Sequence, residues 1–181
     1  MVRTNDSGGY TGTFQISFWV KRGRLGATQT IYSGGNSGSN YGQITFTSGD
    51  ALSFSDSASG TPMNLTSNML FRDPSAWYHV FLQVDTTQGT NTNRVLLWVN
   101  GVSQSWTGTF PNQNIGLGIG YIGDKIIGGL GYTGSTPSSQ FFDGYLAEFY
   151  VLRGNGVSYG PTILGALNQS IGVWGPRAIT V

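Results

Sequence analysis

Residues Ala76 to Gly101, AWYHVFLQVDTTQGTNTNRVLLWVNG, constrain this chain more than any other stretch. Tyr78, Val80, Leu82 and Val84 recur at period two, and so do Val95, Leu97 and Val99. Side chains of a strand alternate between faces, so this spacing predicts two strands that each turn one apolar face to a core. No apolar residue occurs from Thr86 to Asn93, which predicts an exposed connection between them. Asn100-Gly101 follows the second strand and Val102 comes next. Asn-Gly tolerates positive φ at both central positions of a tight turn, so a further strand should fold straight back.

The same reading extends along the chain. Met1 to Thr4 is a candidate short strand. Thr13 to Lys21 sets Phe14, Ile16, Phe18 and Val20 on one face and Gln15, Ser17 and Lys21 on the other, with Trp19 in the polar set. Thr28 to Tyr32 reads as a shorter strand closed by a polar loop, Ser33 to Asn40. Gln43 to Thr47 and Ala51 to Ser55 form a predicted hairpin, with Ile44 and Phe46 opposite Leu52 and Phe54, and two short segments follow around Leu65 and Met69 to Phe71. Leu117, Ile119 and Tyr121 alternate with glycine, which predicts a strand lying close against another backbone. Gly128 to Gln140 reads as a long loop. In the last long strand, Phe142 to Arg153, Tyr145, Ala147, Phe149 and Val151 oppose Leu146, Glu148 and Tyr150. The tail from Gly154 keeps Ile171, Val173, Trp174, Ile179 and Val181, and is expected to pack back onto the body. No capped amphipathic helix is present. About 11 to 14 short strands predict an all-β fold, two antiparallel sheets packed face to face. Residues 1–181 are read as a single domain.

Certain residues also carry a resemblance. Trp77-x-His79-Val80, then Asp85, then a strand ending Val99-Asn100-Gly101 resemble the central signature of laminin-G-like modules of the concanavalin-A-like lectin/glucanase superfamily. Gly144 and Glu148, within GYLAEFYVL, belong to the same structural signature. The longer string FRDPSAWYHVFLQVDTT, with GYLAEFYVL and GVWGP, is similar to laminin-G-like domains in structural proteins of tailed bacteriophages, especially marine ones. That resemblance spans about Arg3 to Arg177 and implies a jelly-roll topology. It further implies a non-enzymatic module on a virion surface, a head decoration or a tail-fibre adhesion protein. Such a module would be assembled in the host cytoplasm, be present in many copies, and contact other capsid or tail proteins and host glycans. Modules of this kind carry an apolar strand ahead of the segment matching Arg3-Thr4. An incomplete sheet edge is therefore expected, with Met1, Val2, Arg3 and Thr4 at or beside an intermolecular contact. Because one fold hosts many functions, a lectin stays open as the alternative and a glycan hydrolase as the third reading.

Charge narrows the partners. Only 9% of residues are charged, against about 25% in an ordinary domain. Net charge is +1, which points to neither nucleic acid nor an anionic membrane. The basic run Lys21-Arg22-Gly23-Arg24 reads as a solvated strand end. There is no cysteine, hence neither disulfide framework nor thiolate metal site. No window approaches the 18 or so apolar residues of a membrane helix, so membrane insertion is not expected.

Few residues can carry chemistry. His79 is the only histidine, and a lone imidazole lacks the partners of a triad or a zinc site. Glycoside hydrolysis of the usual kind needs two carboxylates flanking one bond; the chain has one glutamate, Glu148, and its nearest acidic companion in sequence is Asp143. No catalytic residue and no cofactor are expected. Calcium remains an alternative through Asp85 and Asp124, although no D-x-D-x-D run is present. For sugar stacking the candidates are Trp106, Phe110 and Tyr132, aromatics set among Gly, Ser and Asn. The competing reading of those rings is that they cap the sandwich or meet another subunit.

Overall fold

The computed structural model describes residues 2–3, 12–57, 62–120, 123–132, 134–137, 139–153 and 160–177. Its strands are β1 (Val2–Arg3), β2 (Thr13–Arg22), β3 (Gln29–Ser37), β4 (Asn40–Phe46), β5 (Ala51–Asp56), β6 (Met63–Leu70) and β7 (Tyr78–Asp85). There follow β8 (Val95–Val99), β9 (Val102–Gln104), β10 (Trp106–Thr109), β11 (Lys125–Ile127), β12 (Gly144–Arg153), β13 (Gly165–Asn168) and β14 (Val173–Pro176). A seven-stranded sheet runs β1-β11-β3-β4-β5-β6-β10, and a five-stranded sheet runs β12-β2-β7-β8-β9. Every pairing is antiparallel. The fold is a two-sheet β-sandwich, as the alternation predicts, with the jelly-roll topology that the resemblance implies.

The core lies between the sheets. Phe14, Ile16, Phe18 and Val20 of β2, with Tyr78, Val80, Leu82 and Val84 of β7 and Val95, Leu97 and Val99 of β8, meet Ile31, Ile44, Phe46, Leu52, Phe54 and Leu65 of the other sheet. Leu82 faces Ile16 on one side and Leu97 on the other, so the three strands stay in register across the predicted apolar face. Asn100 and Gly101 take φ of +50° and +77° in the turn from β8 to β9, which Asn-Gly allows at little cost.

Several expectations change in three dimensions. Gly116 to Gly120 forms no strand: Gly118–Gly120 is a single 3-10 turn, and Tyr121 lies outside the described residues. The cause is Asp56, whose buried carboxylate accepts the Gly118 and Ile119 N–H groups at 2.8 and 2.9 Å and pins the segment by its backbone. The polar stretch after Tyr32 is not a loop but a continuation of β3 to Ser37. Its glycines let neighbours in, since a Cβ on Gly34 would strike Lys125 of β11 at 2.7 Å. β11 itself carries no alternating signal in the sequence. The segments around Leu65 and Met69 join as one strand, β6.

β12 holds a further correction. Its pairing with β2 slips between Ala147 and Tyr150, and Glu148 sits in the bulge at φ +49°. An extra residue reverses which face later side chains take. Leu146 therefore points to the core before the bulge, while Phe149 and Val151 do so after it. The single alternation from Tyr145 to Val151 does not hold.

The basic run is corrected too. Arg22 is 1% exposed. Its guanidinium pairs with Asp50 at 2.8 Å, donates to the Phe71 and Arg24 carbonyls at 3.0 Å, and lies 4.3 Å over the Phe46 ring. Burial of such a charge is tolerable because those partners replace water. The N–H of Gly26 foremost, then Arg22 and Arg72, hold the Asp50 carboxyl below the usual carboxylate range against the opposing effect of burial.

Candidate functional site

The outer face of the five-stranded sheet is where alternation predicts polar exposure, yet Gln15, Ser17, Trp19, His79 and Phe81 are all buried there. The C-terminal hairpin β13-β14 lies over part of this face. It is fastened by Trp174, whose indole N–H donates to His79 Nδ1 at 3.0 Å and whose ring stacks on the imidazole at 5.9 Å. Trp19 stacks on the same imidazole at 5.0 Å. Gly101 and Gly165 leave room for the Trp174 ring, because a Cβ on either would come within 2.5 Å of it.

This arrangement assigns the histidine its tautomer. Nδ1 accepts from Trp174, so Nε2 carries the proton and donates to Ser17 Oγ at 2.8 Å. Burial lowers the His79 pKa from 6.5 to about 4, which keeps the ring neutral near pH 7. The imidazole is wholly enclosed and serves to dock the hairpin. Asn100 steadies the strand at this point by accepting the His79 backbone N–H on Oδ1 at 2.8 Å.

Beside this fastening a groove of about 500 Å³ opens. Trp19, Trp77 and Ala147 line it together with Glu148 of the β12 bulge and Val173 to Pro176 of β14. Trp77 immediately precedes β7 and stays 41% exposed; Tyr145, 65% exposed, stands 6.4 Å from it by ring centroids. Tyr150 Oη donates to Glu148 Oε2 at 2.5 Å and fixes the carboxylate. That hydrogen bond, then partial burial and the Glu148 charge, raise the Tyr150 pKa above its ordinary value. The groove thus combines flat indole faces with one oriented carboxylate. Such a surface can stack the C–H face of a sugar ring and accept hydrogen bonds from its hydroxyls.

The other site candidates fall elsewhere. Trp106 is on a strand, β10, rather than in a loop, and packs half-buried against the core together with Phe110. Its indole nitrogen is buried with no hydrogen-bond partner among the described residues. Tyr132 lies against Tyr41 at 5.7 Å, next to β4. β4 and β10 are separated by β5 and β6, so Tyr132 and Trp106 stand about 14 Å apart or more and form no common platform. Asp85 accepts from Thr87 and Gln88 in the loop after β7. Burial would push its pKa up, but those hydrogen bonds outweigh it and hold the carboxyl low. Asp124 accepts from the Gly134 N–H at 3.4 Å. Among the described residues no three His, Cys, Asp or Glu side chains gather to hold a metal ion. Gly144, at φ +150°, opens β12. Val2 and Arg3 form the edge strand β1, while Met1 and Thr4 lie outside the described residues. Spacing in the sequence leaves Trp77 and Trp174 unmarked as partners, although the signature containing Trp77 and the string GVWGP containing Trp174 each carry the resemblance.

The molecule is thus a two-sheet antiparallel jelly roll with an aromatic groove on one face. The chain belongs to the concanavalin A-like lectin/glucanases superfamily, whose laminin-G model matches residues 2–154. No curated protein matches it in sequence. Among solved structures it is similar to domains LG4-5 of the mouse laminin α1 chain, at 14% identity and a TM-score of 0.59, covering 86% of this chain and 38% of that one. It is similar to a heptameric SAP-like pentraxin from Limulus polyphemus at 17% identity and a TM-score of 0.53, covering 78% of this chain and 64% of that one. The CBM40 of the Ruminococcus gnavus IT-sialidase, bound to α2,3-sialyllactose, is similar at 14% identity and a TM-score of 0.51, covering 84% of this chain and 90% of that one. The chain therefore spans less than two thirds of the pentraxin and laminin chains, and these likenesses establish the fold.

Proposed function

We propose that this protein is a non-catalytic glycan-binding module whose site is the groove between Trp77, the β12 bulge and the C-terminal hairpin. The observation that carries the reading is the convergence of Trp77, Trp174 and Trp19 around the single carboxylate of Glu148. Membership of a superfamily that includes lectins supports it, as does the sugar held by the similar CBM40. Binding without turnover follows from the chemistry: Glu148 is the lone acid among the described residues that line the groove, and hydrolysis needs a second. No cofactor is required, and calcium at Asp85 or Asp124 forms no part of the reading. Glycan-array screening followed by calorimetry tests it. Trp77→Ala should weaken binding at least about tenfold while leaving the circular dichroism and melting of the sandwich intact, since truncating a Trp that anchors an interface commonly costs about 2 kcal/mol. Hydrolysis of a bound oligosaccharide that vanishes in Glu148→Gln would overturn the non-catalytic assignment.

The setting we propose is the surface of a phage particle, as a head decoration or tail-fibre adhesion module touching other virion proteins. The strings FRDPSAWYHVFLQVDTT, GYLAEFYVL and GVWGP support this. So do two surfaces suited to contacts: the two-residue edge strand β1, and the exposed Leu167, Ile171 and Val173 of the hairpin. In this setting Met1 to Thr4 lie at an intermolecular contact. Reconstruction of the native particle decides it, and a chain found free of every virion neighbour would overturn it.

A further inference from the structure

The C-terminal hairpin walls the groove, yet little ties it down. β13-β14 is a two-stranded sheet of its own and pairs with neither large sheet. Among the described residues a single hydrogen bond joins it to them, from the Trp174 indole N–H to His79 Nδ1 at 3.0 Å. Packing supplies the rest: the Trp174 ring stacks on the imidazole over the space left by Gly101, and Leu164 is buried at the hairpin's base. Val173 to Pro176, the strand that carries Trp174, face Trp19, Trp77 and Glu148 across the groove. The groove therefore keeps this form only while Trp174 stays on His79.

That clasp needs a bare Nδ1. Nε2–H already donates to Ser17 Oγ at 2.8 Å, so a further proton goes to Nδ1 and removes the lone pair that accepts from Trp174. Two N–H groups then meet head-on. No group on the surrounding elements relieves them. Residues 165–176 hold no titratable side chain, and Trp19, Trp77, Phe81 and Asn100 are uncharged. Lys21, two residues beyond Trp19 on β2, is a cation itself. Glu148 and Tyr150 on β12, across β2 from His79, are bonded to each other. Burial is what depresses the imidazole pKa, and none of these three groups adds to the shift. Resting on the glycan-binding reading, we propose that the groove is gated by one proton: its uptake at His79 frees the β13-β14 hairpin, removes the Val173–Pro176 wall and releases the glycan. By linkage the converse holds, and a glycan that needs the docked hairpin opposes protonation of His79.

The test follows affinity against pH for the full chain. A glycan selected on an array at pH 7 is titrated by calorimetry from pH 7 down to pH 5. With the His79 pKa at about 4 while the hairpin is docked and as high as 6.5 once it lifts, docking weakens by up to about twentyfold over that range. The expected result is an affinity lower by at least about threefold at pH 5, with protons released on binding at the acid end. In His79→Gln, whose amide oxygen can still accept from Trp174, the affinity found at pH 7 should persist at pH 5. That variant keeps Glu148, so an equal acid loss in it would assign the effect to the carboxylate and overturn the gating. Should it not fold, NMR on the wild type supplies the second measurement. The Trp174 indole N–H resonance should leave its hydrogen-bonded position as the imidazole titrates, and saturating glycan should move both events to lower pH. An imidazole that titrates while the indole resonance and the affinity stay unmoved would overturn the gating and leave the groove as a glycan site. Absence of binding to every glycan at pH 7, or binding indifferent to Trp77→Ala, would overturn the glycan reading itself and the gating with it.

Discussion

Acidification should loosen this protein through one residue. His79 is 0% exposed, and its described neighbours Ser17, Trp19, Asn100 and Trp174 carry no charge that could favour an imidazolium. Its pKa falls from 6.5 to about 4 by burial. A depressed pKa means the unfolded chain takes up the proton first, so stability is complete above pH 6.5 and declines as pH falls toward 4. At about 1.4 kcal/mol per pH unit, the loss between pH 7 and pH 5 is about 2 kcal/mol, approaching about 3 below pH 4. Protonation also sets a second N–H against the Trp174 indole N–H, so the hairpin should release first. The aspartates whose pKa values lie below 3.8 titrate under this window, which leaves pH 5 to 7 to the histidine. Urea unfolding followed by circular dichroism should move its midpoint by about 1 M between those pH values, for a slope of about 2 kcal/mol per molar. In His79→Gln the midpoint should stay flat. Because His79 is the only histidine, its imidazole resonances can be titrated directly by NMR. A measured pKa above 6, or an equal pH dependence in His79→Gln, would refute the reasoning.

Three further perturbations separate the layers of the structure. Gly101→Ala forces a side chain into φ +77° and a methyl to within 2.5 Å of the Trp174 ring; it should cost about 2–4 kcal/mol in urea unfolding and speed hydrogen exchange in residues 165–176. Asp50→Asn keeps the left-handed backbone but strands the enclosed Arg22 charge, and melting should report a loss of about 3 kcal/mol; a neutral outcome would show that the Phe71 and Arg24 carbonyls suffice alone. Leu82→Ala empties a fully buried site between Ile16 and Leu97, for a loss of about 2–5 kcal/mol by chemical denaturation; a loss under 1 kcal/mol would place Leu82 outside the packed core.

Much of the sandwich is legible in the residues because period-two alternation is a local signal. The apolar faces of β2, β7 and β8 follow from it, and the Asn100-Gly101 turn follows from backbone sterics at two adjacent positions. The register of the β4-β5 hairpin follows too, with Ile44 opposite Phe54 and Phe46 opposite Leu52. What alternation cannot see is whether the second face of a strand is covered. Gln15, Ser17 and Trp19 look solvated in sequence, and they are buried because of what packs over that face from far along the chain.

The candidate site was hidden for a related reason. Trp106 stood out in sequence by the company of Gly, Ser and Asn, whereas pairing with β6 places it on a strand against the core. The groove instead draws on Trp19, Trp77, Glu148 and Trp174, residues spread over most of the chain, and no spacing rule relates them. By itself the sequence determined the fold class, the core faces and the tight turn, since each depends on neighbours within a few residues. Tertiary structure alone decided the β12 bulge that aims Glu148, the enclosure of His79 and Arg22, and the fastening of the C-terminal hairpin to His79. Each of these depends on which distant backbone removes water from a given side chain, and that is set by packing rather than by local pattern.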